Sequence, residues 1–373
     1  MTRVFRSGAP SVVTLIFAAL LVVAAGTRAQ VVIGTPKDDK PLPIDAAGRA
    51  KAIEAILKEL EERYVFPDVA KKMRQAIEAR IERKEYDGVA TGQELAKKLT
   101  AHLQEISRDK HLRVMCRSGK LPALPKGGKP APKDLERMRQ SSRKLNGGYQ
   151  RVERLPGNVG YLQVDGFMHP DIAAEPAAAA MNFLANTDAL IIDLRRNGGG
   201  GPQSVVLLCS YLFDEKPVHL NDLYWRKGDR TEEFWTLKEV AGKRYLGRDV
   251  YLLTSRRTFS AAEEFAYDLQ SLKRVTIVGE ATGGGAHPGG AVPVAEHFVV
   301  FIPSGRAINP ITKTNWEGTG VKPDVEVAAD KALETAHQLA VKKLLEKAPN
   351  DEARWLIQMD LDKAKPRDEK NEK

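Results

Sequence analysis

The chain has 373 residues, of which 42% are hydrophobic and 29% charged, and a formal net charge of +9; this is ordinary globular composition, sufficient for about two domains with cores of their own, and it excludes a largely disordered chain. Lysines and arginines are interspersed with acids rather than clustered with aromatic residues, which argues against nucleic-acid recognition. Two cysteines, Cys116 and Cys209, are too few to define a disulfide framework, so a pair and two buried thiols both stay open.

The chain begins with Arg3 and Arg6, an apolar stretch from Val12 to Ala25, and Thr27-Arg28-Ala29 before Gln30. This pattern predicts a secretory signal over residues 1–29 with cleavage after Ala29, and hence an exported, periplasmic or extracellular, protein. The stretch is short for a membrane span, and no other segment could cross a bilayer. Removing the leader's three arginines leaves a charge of +6.

Within residues 44–116, from Ala47 to about Ile106, the apolar residues recur at helical spacing. Ile53, Ile56, Leu57 and Leu60 mark one helix; Leu95, Leu99, Leu103 and Ile106 mark another, opened by the capping box Thr91-Gly92-Gln93-Glu94. A small helical domain is expected. Residues 117–150 hold Pro122, Pro125, Pro130 and Pro132 among lysines and glycines, which predicts an exposed linker with at most one short helix. Over residues 151–347 the period alternates: strands at Val159 to Val164, Ala189 to Leu194, Val250 to Leu253, Val275 to Val278 and Phe298 to Ile302; helices at Ala173 to Ala185, Pro202 to Phe213, Ala261 to Leu272 and Lys331 to Leu345. Alternation of this kind implies an α/β layer around a substantially parallel sheet. Residues 348–373 are expected to be a charged C-terminal tail.

Ser260 stands in Thr258-Phe259-Ser260-Ala261-Ala262-Glu263, after a strand and at the start of a helix. Unpaired N–H groups at a helix N-terminus suit a developing oxyanion beside a serine nucleophile. The same Ser-x-x-Glu spacing is also a plain capping box. The run Arg195-Arg196-Asn197-Gly198-Gly199-Gly200-Gly201-Pro202 enters another helix, and its glycines could turn backbone N–H groups toward an anion or simply make a tight turn. It lacks both G-x-G-x-x-G spacing and the Walker lysine, so no nucleotide cofactor is expected. A serine nucleophile needs a base. His111, in Ser107-Arg108-Asp109-Lys110-His111, and His287, in the glycine loop Gly283 to Pro288, are the two histidines at loop positions that could approach it, and composition does not choose between them. Glu317, in Asn315-Trp316-Glu317-Gly318-Thr319-Gly320, could orient an imidazole. Without HExxH or paired Cys/His spacing, no metal is expected. The G-x-S-x-G elbow of α/β-hydrolases is absent.

These motifs, in the order of helical domain, Ala189 to Gly200, Thr258 to Glu263, Val278-Gly279-Glu280-Ala281-Thr282-Gly283-Gly284 and Glu317-Gly318-Thr319-Gly320-Val321-Lys322-Pro323-Asp324, resemble the tail-specific (C-terminal processing) serine peptidase family, most of all the branch with the interphotoreceptor retinoid-binding protein repeats and the tricorn core protease. The resemblance implies a crotonase-like ββα-spiral catalytic domain behind the helical one. The lysine of the family's Ser-Lys members would fall on Gly285, so the resemblance implies instead a triad of Ser260, His111 and Glu317. Gly198, Gly199 and Ala261 would supply the oxyanion N–H groups, Ser107 and Asp109 would support His111, and His287 is the alternative base. The family's PDZ domain has no room between the helical part and the core, which shifts the expected substrate from protein C-termini to peptides or unfolded proteins. Oligomeric state is not legible. The competing expectation is a non-catalytic carrier of apolar ligands, as in the retinoid-binding relatives.

Overall fold

The computed structural model describes residues 40–119 and 132–364; the expected leader, the middle of the linker and the end of the charged tail lie outside the described residues. The N-terminal unit holds α1 (Ala46–Arg63), α2 (Pro67–Glu82), α3 (Gly92–Ser107) and the strand β1 (Arg113–Cys116). Thr91 caps α3 as its box predicts, its hydroxyl accepting from the Glu94 N–H at 3.3 Å. Where an exposed linker with at most one short helix is expected, the described residues hold α4 (Pro132–Lys144) and a 3-10 turn at Asn146–Gly148, and the next strand already begins at Tyr149.

The following region alternates as the periodicity predicts: β2 (Tyr149–Leu155), β3 (Val159–Val164), α5 (Pro170–Phe183), β4 (Ala189–Asp193), α6 (Pro202–Ser210), β5 (His219–Trp225), β6 (Arg230–Trp235), β7 (Asp249–Thr254), α7 (Ala261–Ser271), β8 (Thr276–Gly279), β9 (Gly289–Pro293), β10 (Phe298–Pro303), β11 (Gly305–Ile308), β12 (Val325–Glu326), α8 (Ala332–Lys347) and α9 (Asp351–Lys363). The central sheet runs β12-β8-β7-β4-β3-β2, parallel except for the β2–β3 pair. Two small antiparallel sheets, β1-β10-β9 and β11-β5-β6, flank it.

Side chains alternate across a strand, so each central strand feeds two cores. Leu162, Leu190, Ile192, Val250, Leu252 and Ile277 pack with α5, α6 and α7; Tyr161, Ile191, Tyr251, Leu253 and Val278 pack on the other face with Ala332, Ala336 and Ala340 of α8. Double-sided burial is why these strands read as unbroken apolar runs. A third core joins the N-terminal helices to Val292, Phe298, Val300 and Ile302 of β9 and β10, through the β1–β10 pairing. Cys116 lies in this third core and Cys209 in the first, and no disulfide joins them.

Several elements lie outside the sequence expectations, the strands β1, β2 and β12 among them. The β5–β6 hairpin, β9 and β11 carry short, polar or glycine-rich sequences that become strands only by pairing. Helix α9 occupies the first half of the expected tail, anchored by Asp360, which accepts from Arg154 Nη2 at 2.9 Å and from the Gly157 N–H at 2.8 Å. No described helix is long and apolar enough to cross a membrane.

Candidate active site

Three loops meet beyond the C-terminal ends of β4, β7 and β8, where parallel α/β sheets place their sites. The loop after β4 is stitched to the turn after β7: the Thr258 hydroxyl donates to Leu194 O at 2.9 Å, the Ser255 hydroxyl to Arg195 O at 2.7 Å, and the Phe259 N–H to Asn197 O at 3.1 Å. Ser260 follows immediately, with φ +57° and ψ −123°. A non-glycine residue in this conformation costs about 1–3 kcal/mol, and such strain persists only where its surroundings enforce it. The turn therefore has the strained strand-to-helix form of a nucleophile elbow without its G-x-S-x-G signature.

Glu263, fully buried one turn into α7, supplies the enforcement. Its carboxylate accepts from the N–H groups of Ser260 at 2.8 Å, Gly284 at 2.6 Å and Gly285 at 2.8 Å, and from the Thr282 hydroxyl. The capping residue anticipated in sequence thus ties the serine turn to the glycine loop after β8. Burial pushes the Glu263 carboxyl up from its ordinary value, opposed by those donors.

Gly199, at φ +110°, presses against the serine: a Cβ there would stand 2.8 Å from Ser260 Cβ. Its own N–H is engaged by the Asn197 side-chain oxygen at 2.9 Å. The Gly198 N–H has no acceptor among the described residues, and the Ala261 N–H, at the first position of α7, has none within its helix. Of the three expected oxyanion donors, Gly198 and Ala261 are the two left unengaged. Asn197, fully buried, shapes this loop and was not singled out in sequence; its Asx position before four glycines is the signal that could have done so.

His111 follows the left-handed end of α3 at Arg108 (φ +56°), and its N–H donates to Asp109 Oδ1 at 3.0 Å. Its ring lies between Phe259, centroids 4.6 Å apart, and Phe301, 5.7 Å apart. A Cβ on Gly285 would stand 2.8 Å from His111 Cε1 and 2.3 Å from Phe259 Cζ, so the imidazole and its aromatic neighbour occupy the space into which a side chain at 285 would grow. Both ring nitrogens of His111 are shielded from solvent and without a hydrogen-bond partner. Burial lowers its pKa to about 4, against the raising effect of Asp109; the ring is neutral at physiological pH.

Glu317 reaches the same region but pairs elsewhere. One oxygen accepts from the Ala286 N–H and lies 3.5 Å from His287 Nδ1, while the other, Oε1, is shielded from solvent, and the Lys110 backbone also acts as a donor to the carboxyl. Burial, reinforced by Asp109, raises its pKa to about 7. His287 Nδ1 in turn meets Asp109 Oδ2 at 2.8 Å, and that same oxygen accepts from Tyr64 at 3.1 Å. The expected residues thus converge, with Glu317 beside His287 and no hydrogen bond linking His111 to Ser260 or Glu317. Ser107 accepts from the Asp109 N–H at 3.2 Å. Two surface hollows of about 710 and 860 Å³ open elsewhere, and neither is lined by Ser260, His111 or Glu317.

A strained serine on a strand-to-helix turn, backed by glycine N–H groups and beside a buried His/Asp/Glu cluster, defines the class of α/β proteins built around a serine nucleophile's elbow. Residues 158–327 match peptidase family S41 and residues 47–144 match the N-terminal domain of that family in eukaryotic IRBP; the chain belongs to peptidase family S41. A 98-residue stretch is 35% identical to the tail-specific protease of Haemophilus influenzae, covering 26% of this chain and 13% of that protein. The solved structure of a candidate peptidase from Parabacteroides merdae superposes with a TM-score of 0.55 at 20% identity, over 78% of this chain and 96% of that one. The tricorn protease superposes with a TM-score of 0.51 at 15% identity, over 81% of this chain and 37% of that one. At these identities the structural likeness is one of fold.

Proposed function

We propose that the chain is an exported serine endopeptidase that cleaves peptides or unfolded proteins through Ser260, His111 and Glu317. The observation that carries this reading is the backbone of Ser260: a conformation that costs free energy is held in place by a buried glutamate, and a carrier of apolar ligands would have no use for it. His111, neutral and packed on Phe259 next in sequence to the serine, takes the proton from Ser260 Oγ as that oxygen attacks the substrate carbonyl. The Gly198 and Ala261 N–H groups receive the negative oxygen of the tetrahedral intermediate, to which one such donor contributes about 3–4 kcal/mol. His111 then delivers its proton to the leaving amine, and water hydrolyses the acyl-enzyme by the reverse sequence. Glu317 supports the imidazolium. At present it accepts from the Ala286 N–H and stands 3.5 Å from His287 Nδ1, so the step that joins it to His111 accompanies substrate binding, as catalytic hydrogen bonds commonly tighten only in the complex.

The test is fluorophosphonate labelling of the purified protein, with mass spectrometry to locate the adduct. The expected result is label on Ser260 that disappears in Ser260→Ala and falls on the order of 10³-fold or more in His111→Ala. Peptide hydrolysis that survives Ser260→Ala would overturn the assignment.

A further inference from the structure

Beside the serine, three segments distant in sequence bring their side chains to one point. Asp109 comes from the turn after α3, His287 from the loop before β9 and Glu317 from the loop after β11, and one ligand atom from each lies within 4.8 Å of the others. Asp109 is fully buried and His287 only 7% exposed. His287 Nδ1 stands 2.8 Å from Asp109 Oδ2 and 3.5 Å from Glu317 Oε2. Two carboxylates therefore share a single imidazole, and no lysine or arginine nitrogen lies within ion-pairing distance of either among the described residues. Among the described residues the Glu317 carboxyl meets only backbone donors, Ala286 and Lys110, and no cationic side chain. Two largely buried carboxylates without a fixed cation between them are costly.

We infer that Asp109, His287 and Glu317 form a binding site for a zinc ion. One imidazole nitrogen and two carboxylate oxygens are a donor set zinc accepts in tetrahedral geometry, leaving a fourth position for water or a substrate group. Calcium asks for six to eight oxygen ligands and magnesium for an octahedron of oxygens, neither of which this three-ligand, nitrogen-containing corner provides. The outer hydrogen bonds that hold a metal-binding carboxylate are in place: Tyr64 donates to Asp109 Oδ2 and the His111 N–H to Asp109 Oδ1. Zinc here withholds Glu317 from His111 and switches the peptidase off. That consequence rests on the proposed function; the binding itself does not.

The experiment is calorimetric titration of zinc sulfate into the full purified protein, His287→Leu, Glu317→Gln and, as a control, His219→Ala, whose His219–Asp222 pair is a competing site at 2.7 Å. One-to-one binding that survives His219→Ala is expected. In His287→Leu and Glu317→Gln it should weaken by more than the roughly 10–100-fold that loss of an outer hydrogen-bond partner costs. Glu317→Gln keeps the side chain's shape should His287→Leu fail to fold. No binding, or binding indifferent to both substitutions, would overturn the site. In parallel, zinc should block fluorophosphonate labelling of Ser260, and a chelator should restore it. Labelling unaffected by saturating zinc would overturn the inhibitory role. Zinc binding by a protein that never labels, even metal-free, would leave the site standing and sink the peptidase reading.

Discussion

Gly285 shows how much at this site depends on a side chain that is missing. With no Cβ it leaves room for the His111 ring and Phe259, where any substituent would collide with both. Gly285→Ala should therefore displace the imidazole: a misplacement of about 1 Å costs on the order of 100-fold in rate, while overpacking should cost about 1–3 kcal/mol of stability. Labelling rates and denaturant midpoints measured together would separate the two effects, and a folded Gly285→Ala protein that labels at the parent rate would remove His111 from its assigned place. The serine, its helix and its Ser-x-x-Glu partner were legible in sequence because they are local. The positive φ of Ser260 was not, because it is imposed by Glu263 holding the serine turn and the Gly284–Gly285 backbone at once.

Helix α7 carries a second consequence, away from the site. Its buried Glu264 and Asp268 lie one turn apart against Asn221, Asn309 and Cys209. Burial raises the Glu264 carboxyl to about 7 and, with Glu264 beside it, raises Asp268 as well. The folded state thus holds a proton that the unfolded state releases near the ordinary carboxylate value. The stabilisation is fully present below that ordinary value and is lost as pH rises through about 7. Between about pH 5 and pH 8 the protein should lose on the order of 3 kcal/mol through Glu264, a slope that Glu264→Gln flattens. Urea unfolding of the two proteins across that range measures the difference, and parallel pH dependences would refute it. The α7 pattern reads from sequence as an ordinary amphipathic helix, since nothing in its spacing says that its polar residues face the β5 side of the core.

At the scale of the whole molecule, the N-terminal helices and the β9–β10 hairpin bury one core between them, and His111 sits at that junction. Deleting residues 40–116 should leave Val292, Phe298, Val300 and Ile302 without cover and strip β10 of its β1 neighbour. Burial of each such side chain is worth about 1.5–3 kcal/mol, so the remainder should aggregate or unfold. A soluble truncated chain with an intact, cooperative thermal transition would show that the two parts fold independently. Composition and periodicity alone determined the helical front, the alternating α/β region and the central strands, because double-sided burial and helix capping are written in neighbouring residues. The motif order determined the family for the same reason: each motif is a short local run. Only the tertiary structure decided that β5, β6, β9 and β11 are strands, that α9 docks through Asp360, that Glu317 lies against His287, and that residues 109, 287 and 317 share one buried point. Those features arise from pairing between segments far apart in the chain, where local patterning carries no signal.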